Sequence, residues 1–276
     1  MTPLVLLAAT AHASPEDILL SRMASWQGEA VGDDLHPAYL ELVSDLGVMV
    51  SNKPLAPANT LGASGFDLEF GNSFVFLLPP SDGTPSAWER ANIDQDAGSY
   101  AIVPRISARK GLPMSLEIGA NASWLGFSHQ SAFGMYGRLG LVEGWKPYPD
   151  ISIQAGYAGY VGNDELDLGV MDLGVTIGQQ YAFGSIPPVR NAYWAPWLSY
   201  QMLRVRAAPL VPADVADDVG ATSVGRKSDP NSDPAIVLNN IGGGFMISNG
   251  TVMIKFAGSY AVNSLPSASA GMGFTW

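Results

Sequence analysis

Ionisable residues that could act in hydrolysis gather in three segments that the sequence pattern assigns to loops. These residues are Asp82, Asp94 and Asp96 in the first segment, His129 in the second, and Asp164, Glu165 and Asp167 in the third. Carboxylates beside a histidine can activate water, so a hydrolytic site at a loop-bearing rim is one hypothesis. Aspartate is also ordinary in surface turns, and the Gly-x-Ser-x-Gly and His-Glu-x-x-His motifs are absent. The sequence therefore favours a protein without catalytic activity, and no cofactor or metal is expected.

A fourth acidic segment, 229–234, follows Asp214, Asp217 and Asp218 in the same long connection. It could collect a divalent ion, but it lacks the glycine and the terminal glutamate of a calcium loop. A solvated acidic loop, or a loop that binds a partner, is the alternative. Arg204 and Arg206 lie near the end of a strand, where arginine either contacts lipid phosphates or extends to the headgroup zone.

A second group of ionisable residues lies on predicted strands, at positions that point toward one shared interior. They are Asp67, Glu69, Arg105, Arg109, Glu117, Arg138, Asp172 and Lys255. An isolated ion in a low-dielectric medium is costly, so charges inside a narrow barrel must pair with each other or with water. A structural lattice of ion pairs is the first interpretation. The alternative is a charged lining that gives a narrow polar path its ion preference.

The elements that carry these residues are strands with a side-chain period of two. In Phe66–Phe76, large apolar residues alternate with Asp67, Glu69 and Ser73, and Leu116–Trp124 alternates in the same way. About ten strands are predicted, within a range of roughly 8 to 12. They cover 66–76, 100–109, 116–124, 133–141, 151–160, 168–181, 194–204, 236–247, 252–260 and 267–276. Pro104 argues against the second range, because proline cannot donate to a ladder.

Composition and charge limit the classes of protein that this chain can represent. Hydrophobic residues make up 47% and charged residues 14%, but no run of 18 apolar residues occurs, which excludes a transmembrane helix. The absence of cysteine excludes disulfides and thiolate chemistry. A net charge of -11 argues against nucleic acid as a partner, because phosphate binding needs a basic surface.

The N-terminal part differs from the rest of the chain. Residues 1–13 are predicted to be an export signal, ending in the Ala-x-Ala pattern before Ser14. Residues 14–60 are predicted to be a periplasmic helical extension and linker, with a helix over Pro37–Leu46 that Gly47 ends. This extension either folds under or into a barrel formed by residues 61–276 or remains a docked arm.

The connections between the predicted strands alternate in length. Short ones at 110–113, 144–150, 184–191 and 248–251 fall on one side, and long ones at 78–98 and 207–234 fall on the other, together with 162–167. Outer-membrane barrels place short turns in the periplasm and long loops outside, so these two sides are the expected periplasmic and outer sides. An aromatic girdle is expected at the strand ends, from Tyr100, Tyr157, Tyr160, Trp194, Trp197, Tyr200 and Tyr260.

The chain ends on an alternating strand whose last aromatic residues are Phe274 and Trp276. Together with the export signal and the other strands, this ending resembles Gram-negative outer-membrane β-barrel proteins, over residues 65–276. The resemblance implies a monomer in the outer membrane, with membrane lipids as partners and Phe274 and Trp276 as the signal for the barrel-assembly machinery. The leading functional hypothesis is a passive role, either as a narrow porin-like conduit for small solutes or as a structural envelope protein. The alternatives are a surface-loop binding protein, a rim hydrolase similar to the omptins, and a soluble periplasmic β-sandwich.

Overall fold

The fold is a closed antiparallel β-barrel whose interior is occupied by the chain's own N-terminal region. The computed structural model describes residues 17–25, 35–77, 85–92, 99–126, 128–145, 147–183, 192–226, 229–230 and 232–276. The predicted export signal and the loop residues Asp82, Asp94 and Asp96 lie outside the described residues.

Strands form most of the described chain. They are β1 (Phe66–Phe76), β2 (Tyr100–Leu112), β3 (Leu116–Trp124), β4 (Ser131–Val142), β5 (Asp150–Val161), β6 (Leu166–Gly178), β7 (Tyr181–Ala182), β8 (Ala192–Pro209), β9 (Ile236–Asn249), β10 (Val252–Ala261) and β11 (Pro266–Thr275). The described helices are α1 (Leu20–Ala24), α2 (His36–Val50), α3 (Ala87–Ala91) and α4 (Ala213–Val219). In this described part of the chain, every helix is too short or too polar to cross a membrane.

Ten long strands follow one another around the barrel, and each pair of neighbours is antiparallel. β1 pairs with β11, and β6 pairs with β8 from Leu166–Pro209 to Gly178–Trp197, which closes the sheet and removes its free edges. The two-residue β7 only adds a short ladder beside β8. This confirms the predicted all-β barrel of ten strands. The largest difference is at β8, which continues to Pro209 instead of ending at Arg204.

Each strand turns an apolar face outward and a different face inward. On β1, Phe70 is 49% exposed, whereas Asp67 and Ser73 are each 2% exposed. On β3, Ile118 is 52% exposed and Glu117 is 1% exposed. Water would not favour such an arrangement, but a bilayer solvates the apolar exterior while the closed ladder satisfies every backbone group. The exterior therefore indicates a membrane-spanning barrel and excludes the soluble sandwich.

Two local sequence signals are overridden by tertiary structure. Pro104 lies inside β2, opposite Asn72, and the strand continues through it. Gly47 does not end the N-terminal helix, because α2 runs from His36 to Val50. A Cβ atom on Gly47 would lie 2.4 Å from Val205 Cγ2. The glycine therefore permits close packing of α2 against β8 and does not terminate the helix.

The segment 35–60, called the plug from here on, lies inside the barrel. Its helix α2 packs against β4, β5, β6 and β8 of the wall, and Leu42, Val43 and Leu46 are fully buried. The plug continues to the opposite end, where Thr60 bonds to Glu143. The sequence left open whether the extension over residues 14–60 folds under or into the barrel or remains a docked arm, and in the structure residues 35–60 lie inside the barrel. The apolar side of α2 needs a cover, and the inner wall provides it.

Three short helices cover the barrel end that carries the long connections, called the capped end. There, α1 packs against α3 and α4. Ser21 in α1 donates to Glu165 through its hydroxyl (2.6 Å) and its backbone N–H (2.8 Å). Asp45 of α2 accepts hydrogen bonds at this end from Trp88 of α3 and from Ser264 in the turn after β10. Residues 17–25 thus lie at the capped end. The sequence placed the extension at the other end of the barrel, on the side of the short turns.

Candidate functional site in the barrel lumen

The lumen has two layers of different polarity. Toward the capped end the layer is apolar, because α2 packs there against β6 and β8. Its buried residues share one apolar cluster with Val103, Val170, Leu203 and Val205 of the wall, all essentially inaccessible to water. From mid-barrel to the short-turn end, the layer contains charged and amide side chains, with residues 51–60 of the plug among them. The first layer stabilises the plug by apolar burial, whereas the second can do so only if its polar groups are paired.

Four charged residues in the second layer form one chain of ion pairs. Arg109 donates to Asp67, and its Nη1 lies 3.3 Å from Glu117 Oε1. The same Glu117 oxygen lies 3.7 Å from Arg138 Nη1. The barrel register produces this alternation, because Asp67 stands opposite Arg109 and Glu117 stands opposite Arg138. Each of these buried charges has an opposite partner, which offsets the cost of removing it from water.

A second ion pair joins strands that are not neighbours. Lys255 Nζ on β10 lies 2.6 Å from Glu69 Oε2 on β1, with β11 between them. Gly271 of β11 makes this contact possible, since a Cβ atom there would lie 2.6 Å from Glu69 Oε1. Arg105, also on this side of the lumen, donates to the backbone oxygen of Ser51 at 3.3 Å. The plug therefore supplies part of the hydrogen bonding of the inward charges.

Asn52 of the plug binds five strands of the wall. Its Nδ2 donates to Asp172 Oδ2 (2.7 Å) and to the backbone oxygen of Met135 (3.3 Å). Its Oδ1 accepts from Asn121 Nδ2 (2.8 Å), and its backbone oxygen accepts from Gln154 (3.2 Å) and Gln201 (2.7 Å). Asp172, which the sequence predicted only as a lumen charge, thus accepts a hydrogen bond from a residue of the plug.

Sequence reasoning placed eight charged residues on the inward face, and the structure brings all eight into contacts there. Six of them form ion pairs with one another, and the other two, Arg105 and Asp172, bond to Ser51 and Asn52 of the plug. Sequence reasoning missed the plug residues that meet them, because Asn52 and Lys53 stand in a proline-containing segment that reads as a linker. Lys53 is buried and donates to Ser267 of β11 (3.0 Å). A lysine next to a proline carries no periodic signal that would assign it to an interior.

One side of the lattice encloses a small cavity. The cavity beside Glu69, Arg105 and Lys255 measures about 20 Å³, which is about enough for one water molecule. A conduit for small solutes would need a continuous polar path of larger width. With the plug in place, this part of the lattice can hold water and fixed charges.

At the capped end, the expected hydrolytic group is only partly assembled. His129 Nδ1 lies 3.6 Å from Asp17 Oδ2, so its carboxylate partner comes from the N-terminal segment and not from the loops. Glu165 bonds to Ser21, and Asp167 pairs with Arg226. Among the residues that the structure describes, no group of three or more His, Asp or Glu side chains is arranged to hold a metal ion.

The expected aromatic girdle is correct for five residues and wrong for two. Tyr100, Tyr157, Trp194, Tyr200 and Tyr260 are exposed on the outside of the barrel. Tyr160 and Trp197 are buried, and the Tyr160 hydroxyl donates to Gln130 inside. The period of two explains this, because Tyr160 is three residues from Tyr157 and must face the other way. The same spacing separates Trp197 from Trp194.

The last strand ends at the short-turn side of the barrel, beside the start of β1. Phe274 and Trp276 point outward and are exposed, and the ring centroids of Trp276 and Phe66 lie 4.9 Å apart. Both residues of the proposed assembly signal are therefore on the lipid-facing surface.

Together, the closed ladder, the apolar exterior and the filled polar lumen define an integral β-barrel of the outer-membrane type. The predicted location in the outer membrane is confirmed on this basis. Its distinguishing feature is a plug made from the chain's own N-terminal region.

No protein-family model and no curated protein matches the sequence. Among solved structures, the chain is similar to Ail, the attachment invasion locus protein of Yersinia pestis, with 9% identity, 78% of this chain and 99% of that chain covered, and a TM-score of 0.28. It is also similar to the translocator domain of the autotransporter NalP from Neisseria meningitidis (11% identity, 87% and 96% covered, TM-score 0.35). A third is the Acinetobacter baumannii outer membrane protein Omp33 (9% identity, 77% and 98% covered, TM-score 0.29). Similarity at this level carries no argument about function.

Proposed function

We propose that the protein is a structural barrel of the outer membrane whose lumen stays closed. This is the non-conducting form of the passive role that the sequence favours. The observation that supports it best is the set of hydrogen bonds between the plug and the wall. Among the described residues, ten such bonds join residues 51–60 to the barrel, with the Thr60 hydroxyl shared between the two oxygens of Glu143 counted once.

These bonds set the free energy needed to open the lumen. A typical intramolecular hydrogen bond contributes about 0.5–1.5 kcal/mol after exchange with water, so the set contributes on the order of 10 kcal/mol. A state that lies about 10 kcal/mol higher is populated at roughly one part in ten million. Burial of α2 against the wall adds to this difference. Spontaneous release of the plug is therefore too rare to support a steady conductance.

The test is planar-bilayer conductance of the full chain, after gel mobility with and without boiling has established that the barrel is folded. The expected result is no step-like current at moderate voltage. In the variant Arg138→Met the plug loses the hydrogen bond to the backbone oxygen of Pro57, and the wall loses the contacts with Gln154 and Glu117. Regular current steps from the folded wild-type protein would overturn the proposal and favour the porin-like conduit.

A binding surface at the capped end is the second candidate. The observation that favours it is α4, where Asp214, Asp217 and Asp218 are exposed on a helix held in place by packing against α1. Fixed carboxylates suit a cationic partner, because their arrangement is already organised before binding. Replacing the three aspartates by asparagine should abolish adhesion to a positively charged surface while heat-dependent gel mobility stays the same. Unchanged adhesion would exclude this surface.

A hydrolase at the same end is the competing proposal. The contact between His129 and Asp17 favours it, whereas the 67% exposure of the histidine side chain leaves its ring in contact with bulk water. We propose that the protein has no enzymatic activity. Peptides and phospholipids should remain intact with the purified wild-type protein. Hydrolysis that is present in the wild type and absent in His129→Ala would replace the structural proposal.

We also propose that the barrel-assembly machinery recognises β11 through its outward aromatic residues. Phe274→Ala with Trp276→Ala should slow the appearance of the heat-modifiable band in cells, because the lipid-facing contacts of the last strand are lost. Ile254→Ala on the neighbouring β10 is a matched control, since its side chain is also exposed on the outside. Equal assembly rates for both variants would contradict recognition of these two residues.

A further inference from the structure

A groove of about 560 Å³ opens on the outside of the barrel, near the capped ends of β6 and β8. Its lining includes Tyr157, Asp167, Gly169, Arg206, Gly225 and Arg226. None of these residues takes part in the lumen lattice or the plug contacts. The groove therefore has no part in closing the barrel and needs a separate explanation.

The register of the wall produces the groove. Gly159, Gly169 and Arg206 stand opposite one another on β5, β6 and β8, so two positions in this outward row carry no side chain. The Tyr157 ring leans across the gap, since a Cβ atom on Gly169 would lie 2.5 Å from Tyr157 Oη. The result is a depression with an aromatic ring on one side and a guanidinium on the other.

The charge of the groove is opposite to that of the whole chain. Arg206 and Arg226 contribute two positive charges and Asp167 one negative charge, which gives +1, against -11 for the protein. Arg226 is already paired with Asp167. Arg206 and its neighbour on the same face, Arg204, are both exposed and form no ion pair with the described residues. Two guanidiniums are thus presented outward with their donors available to an anion.

The depth of the groove in the membrane identifies the kind of anion. Arg206 lies three residues before the end of β8, and the outward residues below Arg204 are Met202, Tyr200 and Leu198, all exposed. The guanidiniums therefore lie at the boundary between an apolar surface and the capped end. A ligand at this boundary needs an anionic group for the guanidiniums and an apolar part that covers the side chains below them. A membrane lipid with a phosphorylated headgroup has both.

We propose that this groove binds the phosphate group of a membrane lipid. Arg206 and Arg204 donate to the phosphate oxygens in the planar, bidentate geometry that guanidinium favours. Tyr157 places a hydroxyl at the same level, and the acyl chains lie along Met171 and Met202 below it. The alternative is that both arginines only extend to the headgroup zone, where any long cationic side chain would serve equally well.

The test is native mass spectrometry of the full chain in detergent, titrated with lipid A and, separately, with lipid A from which the phosphates have been removed. The wild type should bind the phosphorylated form at least about ten-fold more tightly. Arg204→Gln with Arg206→Gln should remove this preference. Lys110→Gln, which removes one positive charge at the opposite end of the barrel, should leave it within about two-fold. A double arginine variant that keeps the preference would overturn the proposal.

Two further arms separate the proposal from its alternatives. Arg204→Lys with Arg206→Lys keeps both charges and the ability to extend to the headgroups, but loses the bidentate geometry, so the preference should fall by about three- to ten-fold. Equal binding by this lysine variant would overturn specific recognition. Inorganic phosphate at millimolar concentration should not displace lipid A, because it lacks the acyl contacts. Displacement by phosphate alone would overturn the lipid assignment. Because the groove lies outside the lumen, these results do not depend on whether the barrel conducts.

Discussion

Replacing Asn52 by leucine should lower the free energy of unfolding by about 4 kcal/mol. The Asn52 side chain donates to Asp172 (2.7 Å) and to the Met135 carbonyl (3.3 Å), and accepts from Asn121 (2.8 Å). A hydrogen bond to a charged group contributes about 1.5–3 kcal/mol and each neutral one about 0.5–1.5 kcal/mol. Leucine has the same branching and the same number of non-hydrogen side-chain atoms and is no smaller than asparagine, so the loss comes from unpaired polar groups and not from a cavity.

The assay is equilibrium unfolding in urea, in detergent micelles, followed by tryptophan fluorescence and by gel mobility. Asn72→Leu is the matched control, because it is the same substitution at a residue that is exposed on the outer face of β1. There leucine faces lipid or detergent, so the control should be as stable as the wild type or more stable. Adding Asp172→Asn to Asn52→Leu should recover about 1–2 kcal/mol, since an unpaired amide costs less than an unpaired carboxylate.

The result that would refute this reasoning is an Asn52→Leu protein within about 1 kcal/mol of the wild type, or one that matches Asn72→Leu. Either outcome would mean that the polar layer does not hold the plug. The closed lumen would then depend on α2 alone.

Three further predictions concern the stability of the filled barrel. Burial raises the pKa of Asp45, whose partners Trp88 and Ser264 lie outside the strands, to about 6. Because this folded-state pKa lies above the unfolded value, the free energy of unfolding should fall by up to about 3 kcal/mol as the pH rises from about 4 to about 6. Asp45→Asn should remove this pH dependence when unfolding is measured across that range. An unchanged pH dependence in the variant would contradict the prediction. Gly47→Ala places a methyl group 2.4 Å from Val205 and should lower the free energy of unfolding in urea by about 1–3 kcal/mol. Adding Val205→Ala should recover part of this stability. A Gly47→Ala protein as stable as the wild type would refute the close packing of α2 against β8. Arg109→Met leaves Asp67 without its charged partner and leaves Glu117 with only the longer contact to Arg138, so it should cost about 3–5 kcal/mol in the same assay. An unaltered urea midpoint would show that the ion-pair chain is not needed.

The alternation of side chains was enough to predict the wall of the barrel. Phe70 and Phe74 face lipid and Asp67 and Ser73 face inward because a strand has a period of two, which each segment expresses by itself. The number of strands and the inward position of Glu117 follow from the same local rule. Where the rule was not applied strictly, as for Tyr160 beside Tyr157, the predicted face was wrong.

The contents of the lumen were decided only by tertiary structure. Asn52 meets Asp172 across 120 positions of sequence, and Lys53 meets Ser267 across 214. Such pairs depend on barrel closure and on the register between strands, which no segment of the chain expresses by itself. The plug has no period that marks it as interior, since residues 51–60 are buried by the surrounding wall. The sequence by itself therefore determined a membrane barrel with inward charges, whereas the filling of that barrel required all ten strands to close around the plug.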